Sequence, residues 1–324
     1  MKGCPCHLAE TSECILCNNL NKKCNECHCP NWCGVCISQE FEWNGFKAKE
    51  GRKYFKCTIS KKEIPNEDLF IFHIKINDYL LRSLTEIGSF VFLRREDDQP
   101  FFDTPISIMD VNKDSNEIID AIEKKGVKTD NLNKLNENDS ILVKGPFWNG
   151  VLGRRHVKNL KDKKAILICR GVGEAPLIPV LKNLKLQGNS VTVIVDNGNY
   201  PSCFIKEYLN EFANSVHFMN TFEKGNLTTE FKEYFENLLL EEKPSLVHCS
   251  GADILNYEIM KVVENANTKK LFDEINYTCC NNAKMCCGEG ICGGCTRKNN
   301  DHKLRRLCKM QTDPKYILEG RRLF

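Results

Sequence analysis

The chain has 324 residues, with 46 Lys and Arg against 43 Asp and Glu, for a formal net charge of +3. So small an excess, with no Lys/Arg-rich run, argues against a nucleic-acid-binding protein. The proportions of 41% hydrophobic and 27% charged residues are those of a globular chain of two or three domains. The opening "MKGCPCHLAE" lacks the apolar stretch of a secretory signal. No apolar run reaches the ~18 residues that cross a membrane. The expected location is therefore the cytoplasm, without membrane insertion. Of the 20 cysteines, nine fall in residues 4–36 and seven in 279–308, leaving Cys57, Cys169, Cys203 and Cys249 between them. Clusters of this kind in a cytoplasmic chain point to metal or redox centres rather than to disulfides.

Residues 1–40 form a cysteine-rich module. It holds Cys4, Cys6, Cys14, Cys17, Cys24, Cys27, Cys29, Cys33 and Cys36, with His7 and His28 close by. Its three C-x2-C pairs suit either zinc or an iron–sulfur centre. The segment has too little hydrophobic periodicity to build a core, so a metal or a partner must hold it. Residues 41–160 carry short β-rich runs: "YFKCTIS", "LFIFHIKI", "SFVFLRR", "TPISIMD" and "SILVKGP". Five or more such strands, with "LLRSL" as a short helix, predict an antiparallel barrel or sandwich. From 161 to 272, buried-type strands ("KAILICR", "SVTVIVDN", "VHFMN", "SLVHCSG") alternate with helical patterns, which predicts an open parallel α/β sheet. Residues 273–324 read as loop-like, with the second cysteine cluster.

That cluster has a definite spacing. Cys287, Cys292 and Cys295 form C-x4-C-x2-C, and Cys308 follows after twelve residues. A plant-type 2Fe–2S centre uses this spacing with a distant fourth cysteine. Gly288, Gly290, Gly293 and Gly294 allow the tight turns that bring backbone N–H groups to the sulfurs. Zinc usually takes two separated short pairs and fits less well. Cys279, Cys280 and Cys286 are left as spare thiols, with Cys286 the alternative ligand to Cys287. Upstream, Gly171 and Gly173 follow a strand and open a helix, where N–H groups can meet a pyrophosphate. This is a G-x-G, not the full dinucleotide fingerprint. Asp196 ends the next strand, where an acid can accept from an adenosine ribose and would favour NAD(H) over NADP(H). His156 and His248 are expected to be structural, and Phe102, Phe147 and Trp148 to belong to the core.

The order of these segments resembles the dihydroorotate dehydrogenase electron-transfer subunit family, within the ferredoxin–NADP reductase superfamily. "TPISIMDV" resembles that family's R-P-I-S-I strand, and "GVKTDNL" its G-x-G-T-x-x-L flavin turn. "GPFWNG" resembles its G-P-L-G-N-G, and "KMCCGEGICGGC" its cluster loop. The resemblance spans roughly residues 50–312 and implies a flavin-binding β barrel followed by a nucleotide-binding α/β domain. It implies an FAD lined by Thr104, Pro105, Ile106 and Ser107, with Gly126 and Thr129 near its pyrophosphate. It implies that Gly171, Val172, Gly173, Ala175 and Pro176 meet a nicotinamide nucleotide, with Cys249 and Gly251 of "CSGAD" close to the nicotinamide. Three departures stand out. Thr104 replaces an arginine, Lys128 replaces a glycine and restores one positive charge, and Cys169-Arg170 replaces two glycines of the nucleotide loop. The N-terminal module has no counterpart in the family and reads as an extra redox or docking element.

The expected activity is electron transfer from NAD(P)H through FAD and a 2Fe–2S cluster. The acceptor is a redox partner protein or catalytic subunit, with ferredoxin a further candidate, or a second iron–sulfur centre at the N-terminus where zinc is the alternative. No residue is expected to act as a catalytic acid or base. The competing reading is a non-catalytic scaffold subunit with structural zinc and no flavin.

Overall fold

The computed structural model describes residues 52–270, 273–290, 292–298 and 304–318. The N-terminal cysteine module, with Cys4, Cys6, Cys14, Cys17, Cys24, Cys27, Cys29, Cys33 and Cys36, lies outside them. The described chain folds as two compact units, one of residues up to 150 with 283–312, the other of 151–282 with 313 onward. These limits differ from boundaries at 160/161 and 272/273. Residues 151–159 and 276–280 add strands and a helix to the α/β unit, and the cysteine loop belongs to the first unit.

The first unit is a seven-stranded antiparallel sheet. Its strands are β1 (Tyr54–Asn66), β2 (Leu69–Lys75), β3 (Phe90–Arg95), β4 (Thr104–Ser107), β5 (Asp110–Asn112), β6 (Glu117–Glu123) and β7 (Ser140–Phe147), in the order β4-β3-β7-β1-β2-β6-β5. α1 (Asp78–Leu84) starts at Asn77, whose side chain accepts from the Leu80 N–H, and α2 (Val127–Asn133) follows β6. The core gathers Phe70, Phe72, Ile74, Val91, Ile118, Ile122 and Val143 from alternating positions, as a period of two requires.

Among the described residues no ladder closes the expected barrel; the edge strands β4 and β5 are joined by the chain itself. β4 pairs with β3, and β5 pairs with β6 at the other end of the sheet. The switch comes at Ile108–Met109, where Ile108 N–H donates to Ser89 O and Met109 N–H to Ile119 O. The run "TPISIMD" is thus one stretch serving two edges. β6, "EIIDAIE", escapes the sequence reading because its acids mask the alternation. Asp120 stands opposite Phe72 on the side of Ile118 and Ile122, fully buried, with both carboxyl oxygens unpartnered.

The second unit is a six-stranded sheet of β8 (Val151–Leu152), β9 (Lys164–Arg170), β10 (Ser190–Asp196), β11 (Ser215–Phe218), β14 (Leu246–Ser250) and β15 (Asn276–Cys280), with a small hairpin of β12 (Phe222–Glu223) and β13 (Asn226–Leu227). Its helices are α3 (Arg154–Asn159), α4 (Glu174–Leu186), α5 (Lys206–Phe212), α6 (Thr229–Glu242) and α7 (Asp253–Thr268). The order is β11-β10-β9-β14-β15-β8, parallel except for β8. The chain runs outward from β9 to β11, then returns to the other side of β9 for β14 and β15. The sheet therefore reverses between β9 and β14, and the carboxyl ends of those two strands are where such sheets hold ligands. β15 corrects the loop-like reading of 275–280. Cys279 and Cys280 are buried strand residues, behaving as small hydrophobes.

Residues 283–312 form the cysteine-bearing excursion, with the short hairpin β16 (Thr296–Lys298) and β17 (Leu304–Arg306). α8 (Lys315–Leu318) returns to the second unit.

Candidate functional site

The crevice between β9 and β14 is shaped by glycine. Gly171 has φ +57°, a left-handed turn that glycine adopts without cost. At Gly173 a Cβ would sit 2.0 Å from Ser250 O, so only glycine lets the start of α4 touch the end of β14. Val172 and Pro176 remain partly open, whereas Ala175 packs inward. Gly251 is also tight, its missing Cβ 2.7 Å from Leu255 Cδ2. Cys280 Sγ and Asn282 Nδ2 both bond Gly251 O, at 3.3 and 2.7 Å, and fix the turn after β14. Cys249 is wholly buried in the core with Ile168, Leu255 and Cys279, and burial pushes its thiol well up. Its side chain packs in the core at the end of β14.

Asp196, at the end of β10, is held in a hydrogen-bond network. Its Oδ2 accepts from Arg170 Nε at 2.9 Å, from Thr221 N at 2.8 Å and from Thr221 Oγ1 at 2.7 Å, and its Oδ1 accepts from Gly198 N at 2.8 Å. Glu174, in the first turn of α4, is another acid the sequence reading passed over. It is buried, with Oε2 accepting from Phe204 N at 2.9 Å and Oε1 unpartnered. Burial pushes its carboxyl up to about 7. His248 is buried between Thr278 Oγ1 and Ser250 Oγ, and burial lowers it to about 3, so it stays neutral and structural.

In the first unit, Thr104 is buried and its hydroxyl donates to Phe102 O at 2.9 Å. Pro105 is exposed, and Ile106 and Ser107 are half-buried along the edge strand β4. Gly126 opens onto free space, since a Cβ there meets nothing within 4 Å. Thr129 Oγ1 closes the turn, accepting from Lys125 N at 2.9 Å and donating to Gly126 O at 3.1 Å. Lys128 Nζ bonds Asp103 O at 2.9 Å, beside Thr104, so the lysine does bring its charge to the strand that lost an arginine. Arg94, unremarked in the sequence, sits there too. It pairs with Asp103 at 3.0 Å and lies 5.0 Å over the Tyr54 ring.

The cysteine loop turns backbone N–H groups onto sulfur. Glu289 N and Cys292 N approach Cys287 Sγ at 3.3 and 3.5 Å, Gly294 N approaches Cys292 Sγ at 3.4 Å, and Cys308 N approaches Cys295 Sγ at 3.4 Å. Hydrogen bonding from Cys308 lowers Cys295 to about 6 against the effect of burial, and the same bond raises Cys308. For Cys292, burial opposes ionisation, and donation from Gly294 together with hydrogen bonding to Cys287 outweighs it and lowers the thiol. Cys286 is exposed, and burial raises it first, with Cys292 adding to the rise. Among the described residues no three His, Cys, Asp or Glu side chains are gathered around a point that would hold a metal ion. The donor set nevertheless fits an iron–sulfur group: four thiols in one excursion, with N–H donors aimed at three of them.

Three side chains hold this loop in place, of which Glu289 and Asn149 were not singled out in the sequence and Phe147 was expected only as core. Glu289 binds Arg52 through its N–H at 3.0 Å and its guanidinium at 2.8 Å, and binds Lys309 Nζ at 3.3 Å. Asn149 of "GPFWNG" is fully buried. Its Nδ2 donates to Leu307 O and to Met310 O, and its Oδ1 accepts from Gln311. Phe147 fills the space under Gly288.

Comparison with known proteins agrees with this arrangement. No protein-family model matches the chain. The dihydroorotate dehydrogenase B (NAD(+)) electron transfer subunit of Clostridium acetobutylicum is 31% identical over 229 residues, which are 68% of this chain and 81% of the relative. The chain belongs to the dihydroorotate dehydrogenase B electron-transfer subunit family. A second member of this electron-transfer subunit family, from Lysinibacillus sphaericus, is 25% identical over 81% of this chain and 95% of its own. The solved structure of an NADH-dependent reduced ferredoxin-NADP oxidoreductase has the same fold, with a TM-score of 0.61 at 19% identity over 83% of this chain and 90% of that one. A ferredoxin NADP+ reductase from Neisseria gonorrhoeae follows at a TM-score of 0.51, 15% identity, and 66% and 91% coverage. The fold of this subunit family is thus a ferredoxin-NADP reductase fold, an antiparallel sheet domain with an α/β domain. Among the described residues no helix is long and apolar enough to cross a membrane.

Proposed function

We propose that the protein is an iron–sulfur flavoprotein oxidoreductase that takes electrons from a reduced nicotinamide nucleotide and delivers them singly to a protein partner. The observation that carries the reading is the set of four backbone N–H groups turned onto Cys287, Cys292 and Cys295. Donors to sulfur stabilise the negative charge of a cluster and set its potential, and a loop that only packed its thiols would not need them. Bound FAD would supply conversion of a two-electron hydride into single electrons, and a 2Fe–2S cluster their one-electron storage.

The chain's own residues position these groups. Cys287, Cys292, Cys295 and Cys308 would be the ligands, with Cys286 the exposed spare thiol. Pro105, Ile106 and Ser107 offer an accessible strand edge to a flavin, and Gly126 leaves room for a pyrophosphate that Lys128 and Thr129 would steady. The glycine turn 171–173 and the facing turn at Gly251 would take the dinucleotide. His248 stays neutral and enclosed, so no buried imidazole is offered as a proton donor. The acceptor would be a catalytic subunit, in keeping with the name of the relatives, and the N-terminal cysteine module would be a second centre or a docking element.

The test is anaerobic purification of the full chain, with iron, acid-labile sulfide, flavin and zinc counted. Flavin bands with broad iron–sulfur absorbance, bleached by NADH or NADPH, support the reading. A colourless protein containing only zinc refutes it in favour of the scaffold.

A further inference from the structure

The cysteine loop carries an enclosed acid between enclosed cations. Glu289 lies two residues past Cys287, and its backbone N–H donates to Cys287 Sγ at 3.3 Å. Any residue with an N–H could make that bond, so the carboxylate serves a second purpose. Its Oε1 accepts from Arg52 N at 3.0 Å, and its Oε2 meets Arg52 Nη1 at 2.8 Å and Lys309 Nζ at 3.3 Å. None of these three side chains is more than 14% exposed. The Arg52 guanidinium lies 4.3 Å over the Phe147 ring and 5.5 Å over that of Trp148, so its position is fixed from two sides. Lys309 directly follows Cys308, whose N–H approaches Cys295 Sγ at 3.4 Å. Two further cations belong to the same excursion. Arg306 Nη1 donates to Gly290 O at 2.5 Å, and Arg305 is fully buried with Nη1 unpartnered among the described residues. The four thiols therefore share one excursion with fixed charges of both signs, and Glu289 brings the negative one to within a side chain's length of Cys287.

We infer that Glu289 is a positioning and tuning residue of the C-terminal cluster: its backbone orients Cys287, and its carboxylate offsets Arg52 and Lys309 and holds the reduction potential down. The inference rests on the reading of Cys287, Cys292, Cys295 and Cys308 as ligands of a one-electron centre. Such a centre gains negative charge on reduction, so a fixed cation beside it raises its potential and a fixed anion lowers it. Little solvent reaches these side chains, so salt and water screen them weakly. A lower potential makes the reduced centre a stronger one-electron donor to the next acceptor.

The test uses the full chain, purified anaerobically, with the midpoint potential of the cluster followed by electron paramagnetic resonance in a dye-mediated titration. Wild type is compared with Glu289→Gln, Lys309→Gln and the double variant. Glu289→Gln should raise the potential and Lys309→Gln should lower it, each by about tenfold in the one-electron equilibrium, or about 59 mV. The double variant removes one charge of each sign and should return close to wild type. Loosened packing would move both single variants the same way and accumulate in the double variant. Shifts of one sign, or shifts below about twofold in the equilibrium, therefore overturn the inference. If Glu289→Gln does not fold, Lys309→Gln and the double variant decide: a lowered potential that the double variant restores supports the assignment, and one that it leaves lowered overturns it. Wild type without iron and acid-labile sulfide instead refutes the cluster reading itself.

Discussion

Gly288→Ala is the sharpest single perturbation of the cysteine loop. Gly288 follows the first ligand position with φ +68°, and an added Cβ would lie 2.3, 2.8 and 2.9 Å from Cε1, Cζ and Cδ1 of Phe147. That ring is not free to swing away. It is fully buried, stacked on Phe90 at 5.1 Å and edge-on to Phe92 at 5.1 Å, with the Arg52 guanidinium 4.3 Å over its face. An alanine in the left-handed region costs about 1–2 kcal/mol, and overpacking a rigid core costs about 1–3 kcal/mol. The expected loss is therefore about 2–5 kcal/mol, a fall in unfolding midpoint of about 5–15 °C. Thermal unfolding followed by circular dichroism measures it, with iron content as a second readout. Phe147→Leu supplies the control, because leucine lacks the outer ring atoms. In that background Gly288→Ala should cost only its backbone share, giving a coupling of about 1–3 kcal/mol. If the two substitutions are additive, or if Gly288→Ala shifts the midpoint by less than about 2 °C, the close packing of this loop on Phe147 is refuted.

Asp120, buried with both oxygens unpartnered, has its carboxyl raised by burial. Its neutral form is thus favoured in the folded state, and stability is lost as pH rises from the ordinary Asp range of about 4. Asp120→Asn should be more stable than wild type by about 1–3 kcal/mol at pH 7 in urea unfolding, with the difference vanishing near pH 4. Glu174 behaves in the same direction: burial raises it from 4.5 to about 7, so its protonated form is fully stabilising below pH 4.5 and that contribution is gone above about 7. Glu174→Gln should flatten the pH dependence across this window, by up to roughly 3 kcal/mol. Asn149→Ala removes three buried hydrogen bonds and should cost about 2–4 kcal/mol, with hydrogen exchange rising first at residues 307–311. Serine at Cys287, Cys292, Cys295 or Cys308 should abolish the iron and sulfide of the C-terminal cluster, whereas Cys286→Ser should retain both; loss of both in Cys286→Ser would reassign the ligands.

Local patterning decided most of the architecture. Strands such as "KAILICR" and "SVTVIVDN", and helices such as "TTEFKEYFENLLLEE", are legible because a buried period of two or of 3.6 depends only on near neighbours in the chain. The G-x-G turn and the cysteine spacing are legible for the same reason: a turn or a ligand loop is a local object. β6 and β15 were not, because Asp120 breaks the alternation of one and the cysteines of the other read as spare thiols of a loop-like segment until their burial is seen. Whether the sheet closes was also beyond the pattern, since "TPISIMD" reads as one strand and only pairing shows it divided between two edges at Ile108–Met109.

By itself, then, the sequence determined the order of the two folding types, the place of the G-x-G turn and the loop that carries four spaced thiols. Tertiary structure alone decided which charges remain available. Asp196 reads as a ribose acceptor in the chain, and the fold gives it Arg170, Gly198 and Thr221 as donors. The partners of Arg170, Glu289 and Asn149 have no local signature, since each is brought in from a distant part of the chain. The reason is physical: a side chain's charge and hydrogen-bonding capacity are spent on whatever the fold brings within about 3 Å, and those partners come from residues up to 237 positions away.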